Sequence, residues 1–391
     1  MLHSIGNISY AKTMMRLTAL YCFFVIVNLP YKDIAFILLT AGCAWTYRKI
    51  ETRYVLLFIS IYILFIATFL IGVSSDYLYD YGFTHELFLS FTPLILLLWI
   101  DKLDIVRAMT FPAVIVSLFV IFITFAIFWF PDIEAWAYLY LDRKIGLIMM
   151  SNRYFLGIKF TNVFYRTLPL VIIPYSIYCY KYWFEKTSRY RNLLLTAIFA
   201  AALFFSGTRA CMLSAILIFA GMPMLKLLRI KGGMLVLYPI ISLFAIGFCI
   251  LLWMLMSETK EPSNLVKYGH LKSYLDFFDN NMSALLWGQG PGGMFYTEGW
   301  HTYVSQTEWT FIELIRYFGI PGAVWILAIF IYPCIVIYKK KNTLQYFLPF
   351  TIGYILYILV SGTNPLLIST TGMLALLAAY SYASNPVYCE K

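Results

Sequence analysis

The stretch Ala108–Phe130 reads AMTFPAVIVSLFVIFITFAIFWF and contains no charged side chain. It is long enough to cross the hydrocarbon of a bilayer, which takes ~20 apolar residues. The pattern recurs to either side of it. Apolar runs, free of charge except for Lys181 in the sixth and Glu313 and Arg316 in the tenth, predict spans at Leu17–Tyr31, Ile34–Tyr47, Tyr54–Gly72, Leu87–Ile100, Ala108–Phe130, Leu168–Trp183, Leu193–Gly207, Ala210–Leu225, Met234–Met256, Trp309–Tyr338, Leu344–Ser361 and Leu366–Tyr382. Only Lys32 and Asp33 divide the first two runs, which read as a tight hairpin or one broken element. The chain is 62% hydrophobic and only 12% charged, with a mean hydropathy of +0.78. Soluble domains are about half apolar and about a quarter charged, so a soluble globule and a disordered chain are both excluded. The expected class is an all-α polytopic membrane protein forming a single integral membrane domain over 1–391, with about twelve spans.

The basic residues orient the spans. One set of loops carries Lys12, Arg16, Arg48, Lys49, Arg53, Lys102, Arg107, Lys181, Lys186, Arg189, Arg191, Lys226, Arg229, Lys231, Lys339, Lys340, Lys341 and Lys391. The short opposite loops offer only Lys32 and Arg209. The positive-inside rule puts both termini in the cytoplasm, and no cleavage site suggests a removable leader. Two outer loops, 131–167 and 257–308, are long and carry their own cations, among them Arg143, Lys144, Arg153, Lys159, Arg166, Lys260, Lys267 and Lys272. They read either as ordinary solvated surface or as a face that handles an anion. The seven cysteines show no CxxC spacing and read as small buried hydrophobes, not as a metal site or disulfide framework. The one dense basic run, Lys339–Lys341, is a cytoplasmic anchor, so no nucleic-acid partner is expected.

Between the seventh and eighth runs the chain turns through Ser206-Gly207-Thr208-Arg209-Ala210. Arg209 opens the eighth helix, where the macrodipole disfavours a cation by about 0.3–1 kcal/mol. A bound phosphate reverses that penalty, because it takes both the free helix N–H groups and the guanidinium fork. The alternative is an arginine that snorkels to lipid headgroups.

This turn resembles the SG[ST]R element of the bacterial O-antigen ligase and O-antigen polymerase (Wzy) superfamily. So do Leu286-Trp287-Gly288-Gln289-Gly290-Pro291-Gly292-Gly293 and the segment from Thr307 to Ile320 that enters the next helix before a Gly-Ile turn. The resemblance implies a multi-spanning, GT-C-like glycosyltransferase of the bacterial inner membrane that needs no cofactor. Its donor would be a glycan on undecaprenyl diphosphate, its active site periplasmic, and its partners membrane lipid and a chain-length regulator. In the ligase branch a histidine usually stands eleven residues before the glycine that aligns with Gly319; here that position is Glu308, which favours the polymerase branch.

Glycosyl transfer from a lipid diphosphate must stabilise the leaving diphosphate and take a proton from the attacking hydroxyl. Arg209 is the candidate for the first role, with Arg153, Lys159 and Arg166 of the first long loop and Lys272 of the second as further diphosphate or glycan contacts. Glu308 is the first candidate base, at a point of re-entry where desolvation is expected. His301 is the second, since its ordinary pKa lies near ~6.5. An early helix start puts His301, Glu308 and Arg316 on one face at two-turn spacing. Glu308 reads equally as an acid complementing a helix N-terminus, and Arg316 as either a substrate contact or an i,i+3 partner of Glu313. No DxD spacing or acidic cluster suggests a metal, and single displacement with inversion is the simplest chemistry. The glycines of Gly288–Gly293 lack a following Gly-Lys-Ser/Thr and read as a tight turn. A ligase joining the glycan to a lipid A core and a lipid-linked glycan flippase are the competing readings. A flippase is expected to keep its charges within its spans, whereas these spans are almost free of charge.

Overall fold

The computed structural model describes residues 2–47, 49–75, 77–155, 158–225, 262–340 and 344–384. The chain is mostly helical. Its first elements are α1 (Leu2–Ile26), α2 (Lys32–Thr46), α3 (Arg53–Val73) and α4 (Tyr81–Ser90), then a tight 3-10 helix (Thr92–Lys102) and α5 (Ile105–Trp129). Next come α6 (Pro131–Trp136), a π-helical turn (Ala137–Lys144), the antiparallel hairpin β1 (Ile148–Phe155) and β2 (Ile158–Tyr165), α7 (Ile172–Phe184), α8 (Arg189–Phe205) and α9 (Arg209–Met224). The remainder is α10 (Pro262–Asn280), α11 (Met282–Trp287), the short hairpin β3 (Phe295–Thr297) and β4 (Thr302–Val304), α12 (Thr310–Lys340), α13 (Leu344–Gly362) and α14 (Thr370–Ser384). Among the described residues four helical stretches are long and apolar enough to cross a membrane: Arg53–Val73, Tyr81–Lys102, Ile105–Trp129 and Thr310–Lys339. One apolar core runs through the bundle, and α14 is buried along nearly its whole length.

Several boundaries differ from the hydropathy reading, each for a local reason. The first helix begins at Leu2, so Lys12 and Arg16 lie within it and not in a preceding loop. It meets α2 through a tight turn in which Asn28 and Tyr31 take positive φ. The run Leu87–Ile100 is not one α-helix. Pro93 lacks the N–H that would continue α4, and the chain tightens into the 3-10 segment, with Trp99 off helical geometry and its indole donating to Tyr47 O at 3.1 Å. The sixth span becomes an α-helix only at Ile172, and the twelfth only at Thr370. The ninth, Met234–Met256, lies outside the described residues. The two long loops are themselves folded, each carrying a hairpin that adds strand to an otherwise helical chain.

α12 is broken at Gly319, where φ is 68° and ψ is 172°. Pro321 has no N–H for Tyr317 O, and the break removes the helical donor for Arg316 O. Both orphaned carbonyls are recovered from the glycine-rich loop: Gln289 N–H donates to Arg316 O at 2.5 Å and Gly290 N–H to Tyr317 O at 3.2 Å. Irregular backbone inside a bundle survives only with such repayment. A Cβ on Gly319 would stand 2.1 Å from Leu286 O, so both the dihedral and the contact require glycine.

Candidate functional site

The segments assigned by charge to one side of the spans come together at one end of the bundle. The strand-like connection after α3 joins the glycine-rich loop: Asp80 N–H donates to Gly292 O at 2.9 Å, Met294 N–H to Leu78 O at 2.7 Å and Tyr79 Oη to Gln289 O at 2.5 Å. At the other end Glu51 N–H donates to Leu98 O, and Ile105 N–H to Ser381 Oγ.

Both long loops close on the Ser206–Arg209 turn. From the first, β2 runs inward along α5, where Tyr165 packs edge-on to Phe119, and Thr167 Oγ1 and Tyr165 Oη donate to Ile26 O at the end of α1 and to Val27 O just after it. This seats Asn162, which is fully buried, against the turn: its Nδ2 donates to Ser206 O at 3.2 Å, and its Oδ1 accepts from both Ser151 N and Ser151 Oγ. Gly207, at φ 62°, lies so close that a Cβ there would meet Asn162 Cβ at 2.2 Å. Ser206 Oγ and Thr208 Oγ1 bond to one another at 2.7 Å, and α9 starts at Arg209 with no side-chain cap. From the second loop, Asn264 of α10 brings its Oδ1 to 3.5 Å from Arg209 Nη1.

One face of α10 then organises the rest. Asn264, Lys267, His270 and Tyr274 recur at helical spacing. Lys267 Nζ lies 3.4 Å from Glu308 Oε2, both side chains being half-buried, and Lys267 O accepts from the Trp309 indole at 3.2 Å. His270 is fully buried; its Nδ1 sits 2.5 Å from Thr297 Oγ1 of β3 and its ring meets Trp300 edge-to-face at 4.6 Å. Burial pushes its pKa below the ordinary histidine value, and the nearby Lys267 adds to this. The carboxylates of Glu308 and Glu313 oppose it. Tyr274 Oη donates to Glu313 Oε1 at 2.6 Å, and burial, reinforced by that carboxylate, raises the phenol well above its usual range.

The predicted residues are not all gathered here. Glu308 precedes α12 and is not on it, because Thr307 N–H is held by Glu313 Oε1 at 2.7 Å and the helix opens only at Thr310. The shared helical face of His301, Glu308 and Arg316 therefore does not exist. His301 is exposed in the β3–β4 turn with φ 53°. Nor is Glu308 desolvated as expected; it is half-buried beside Lys267. Arg316 is fully enclosed as the i,i+3 partner of Glu313, at 2.6 Å. Its five N–H groups meet Glu313 Oε2 twice, Gln289 Oε1, Gly293 O and Ser305 O, which leaves no donor for a ligand. Lys272 pairs with Glu298 at 2.8 Å on the surface, raising its pKa and tying the second hairpin to α10. Arg166 is exposed, with its guanidinium against Gly146. Arg153 and Lys159 fall in β1 and β2, registered with Phe160 and Tyr154. Among the described residues no group of three His, Cys, Asp or Glu could hold a metal.

Of Asn162, Asn264, Lys267 and His270, the sequence pointed to Lys267 as one cation of the second long loop and to His270 only as a neighbour of Lys272. The signal for three of them was the i, i+3, i+6 spacing along 264–270, which is visible only once that charged stretch is read as a helix. No protein-family model matches the chain, and no curated protein matches it in sequence.

Proposed function

We propose that the protein is a membrane glycosyltransferase of the O-antigen polymerase type, joining glycan repeat units carried on undecaprenyl diphosphate at the outer face of the bacterial inner membrane. The observation that carries this reading is the convergence of both long loops on Arg209, through Asn162 behind its turn and Asn264 at its guanidinium. Arg209 and the first amides of α9 would receive the diphosphate. A sugar hydroxyl of the acceptor attacks the anomeric carbon, the bond from that carbon to the diphosphate oxygen breaks, and its electron pair leaves on the lipid diphosphate. The hydroxyl proton passes to Glu308, whose partner Lys267 stands one helical turn along α10 from Asn264, the residue at Arg209. Inversion follows from the single displacement. Undecaprenyl diphosphate and membrane lipid are the partners this chemistry calls for, and the family resemblance alone implies a chain-length regulator.

The test is reconstitution of the purified protein in vesicles with lipid-diphosphate repeat units alone. A ladder of glycan lengths is expected. Arg209→Ala should lower turnover by about 10²–10³, the loss typical of removing one transition-state donor. Glu308→Gln should keep substrate binding and lose turnover. A ladder unchanged by Arg209→Ala refutes the assignment. Product that forms only after a lipid A core is added makes the protein a ligase, and lipid movement without product makes it a flippase.

A further inference from the structure

A groove of about 590 Å³ lies between α3 and the part of α12 that follows its break at Gly319. Arg53, Ser60 and Ile63 stand on one wall, and Trp325, Ala328 and Tyr332 on the other. Both walls belong to helices long and apolar enough to cross a membrane. Ile63 and Tyr332 are 62% and 47% exposed, so the groove is open along its side.

Its polarity is confined to one end. In mid-groove the Trp325 indole donates to Ser60 Oγ at 3.0 Å, and that hydroxyl donates to Leu57 O at 2.7 Å. These groups are satisfied and the wall around them is hydrocarbon, so water finds too few partners to fill the space. A sugar or a diphosphate fails there for the same reason. From Arg53 to Ile63 the helix rises ~15 Å, half of the ~30 Å hydrocarbon core. The groove therefore has the length of one leaflet and suits one acyl chain.

The mouth pairs one cation with one anion. Arg53 opens α3 with its guanidinium over the Tyr54 ring, 4.8 Å from the centroid. Its Nε lies 3.0 Å from Glu51 Oε2, and neither side chain is buried. Glu51 faces Nε, which leaves the Nη edge of the fork for an oxyanion. Lys102, one of the other cations at this end, is paired with Asp101 at 2.6 Å. A purely anionic headgroup on Arg53 would be repelled by Glu51. A headgroup that carries both a phosphate and a primary ammonium meets each charge with its opposite.

We propose that this groove binds one glycerophospholipid of the phosphatidylethanolamine type, its acyl chain against Trp325 and Ala328, its phosphate on Arg53 and its ammonium on Glu51. On the positive-inside orientation the lipid comes from the cytoplasmic leaflet. The groove lies at the end of the bundle opposite the Ser206–Arg209 turn, and the proposal does not depend on the glycosyl-transfer reading.

The experiment uses full-length protein in phosphatidylcholine nanodiscs, into which lipids brominated on the acyl chain are titrated. Quenching of Trp325 is read as the difference between wild type and Trp325→Phe. Brominated phosphatidylethanolamine should reach half-maximal quenching at about one fifth of the mole fraction that phosphatidylcholine or phosphatidylglycerol needs, the weight of about one charge contact at a membrane surface. Phosphatidylcholine has no N–H for Glu51, and phosphatidylglycerol has no cation. Glu51→Gln should erase the preference, and Ala328→Leu, which fills the groove, should remove the saturable part of the quenching. Lys49→Gln, an exposed cation near Glu51 in sequence, should leave the preference intact and controls for general surface charge. Equal half-points for the three headgroups, a preference for phosphatidylglycerol, or a preference that survives Glu51→Gln overturns the proposal. The headgroup comparison needs no change at the mouth, so it decides the matter even where a mouth variant fails to fold.

Discussion

Replacing Arg316 separates two roles that its sequence position left open. With both side chains at 0% exposure, the Glu313–Arg316 pair is wholly removed from solvent. Arg316→Met leaves a buried carboxylate held by neutral donors, among them Tyr274 Oη and Thr307 N–H. It also strips donors from Gln289 Oε1, Gly293 O and Ser305 O. Breaking a buried pair from one side costs about 3–5 kcal/mol. The orphaned acceptors add to this less than their sum, because the Gln289 amide can turn. At ~2 °C or less per kcal/mol for a long chain, the unfolding midpoint should drop by roughly 5–10 °C. Arg316→Lys should lose most of the same amount, since a point charge cannot make five divergent bonds. The double variant Glu313→Gln with Arg316→Met should be less damaged than the single losses added together, by a coupling of ~0.5–3 kcal/mol. The assay is thermal unfolding in nanodiscs by tryptophan fluorescence, alongside turnover per folded molecule. A wild-type midpoint in Arg316→Met, with loss confined to KM, would make Arg316 a ligand cation and refute the structural role.

Two further outcomes follow from the same geometry. Gly319→Ala should destabilise by at least the ~1–3 kcal/mol of a forced positive φ, with the clash at Leu286 O in addition. Gly221→Ala in α9, where an added Cβ meets nothing within 4 Å, should be neutral or mildly stabilising; equal effects in a thermal-unfolding comparison would contradict the broken-helix account. His270 gives a pH dependence of definite sign. Its folded pKa lies below the unfolded value of ~6.5, so below that pH the unfolded chain takes up a proton the folded one refuses, and stability falls as pH falls. The slope from this group is at most about 1.4 kcal/mol per pH unit. It is softened by Glu308 and Glu313 and sharpened by Lys267. His270→Gln should remove that component below about pH 6.5; superimposable stability profiles would show that burial does not control the ring.

What could be read from the sequence divides along the range of the forces involved. Ala108–Phe130 was legible because a charge-free run has few fates; its end falls within one residue of the helix end at Trp129, though the helix starts earlier, at Ile105. The Ser206–Arg209 turn was legible too, since a glycine and an arginine between two apolar runs leave little else to build. Gly319 was read as a turn, but not as a break whose carbonyls are taken up by Gln289 and Gly290, because that repayment joins residues far apart in sequence. The misplacement of His301 and Glu308 has a related cause: Glu313 captures Thr307 N–H and so delays the helix start, and a spacing argument that assumes an earlier start cannot register it. α10 escaped for the opposite reason. Its charged face made it look like loop, yet that face carries Asn264 to Arg209, Lys267 to Glu308 and Tyr274 to Glu313. A polar stripe on a helix that packs against other elements marks buried bonding, not solvation. The positions that hydropathy reads as surface are here the ones that link the Ser206–Arg209 turn to the ion pair beside the broken helix.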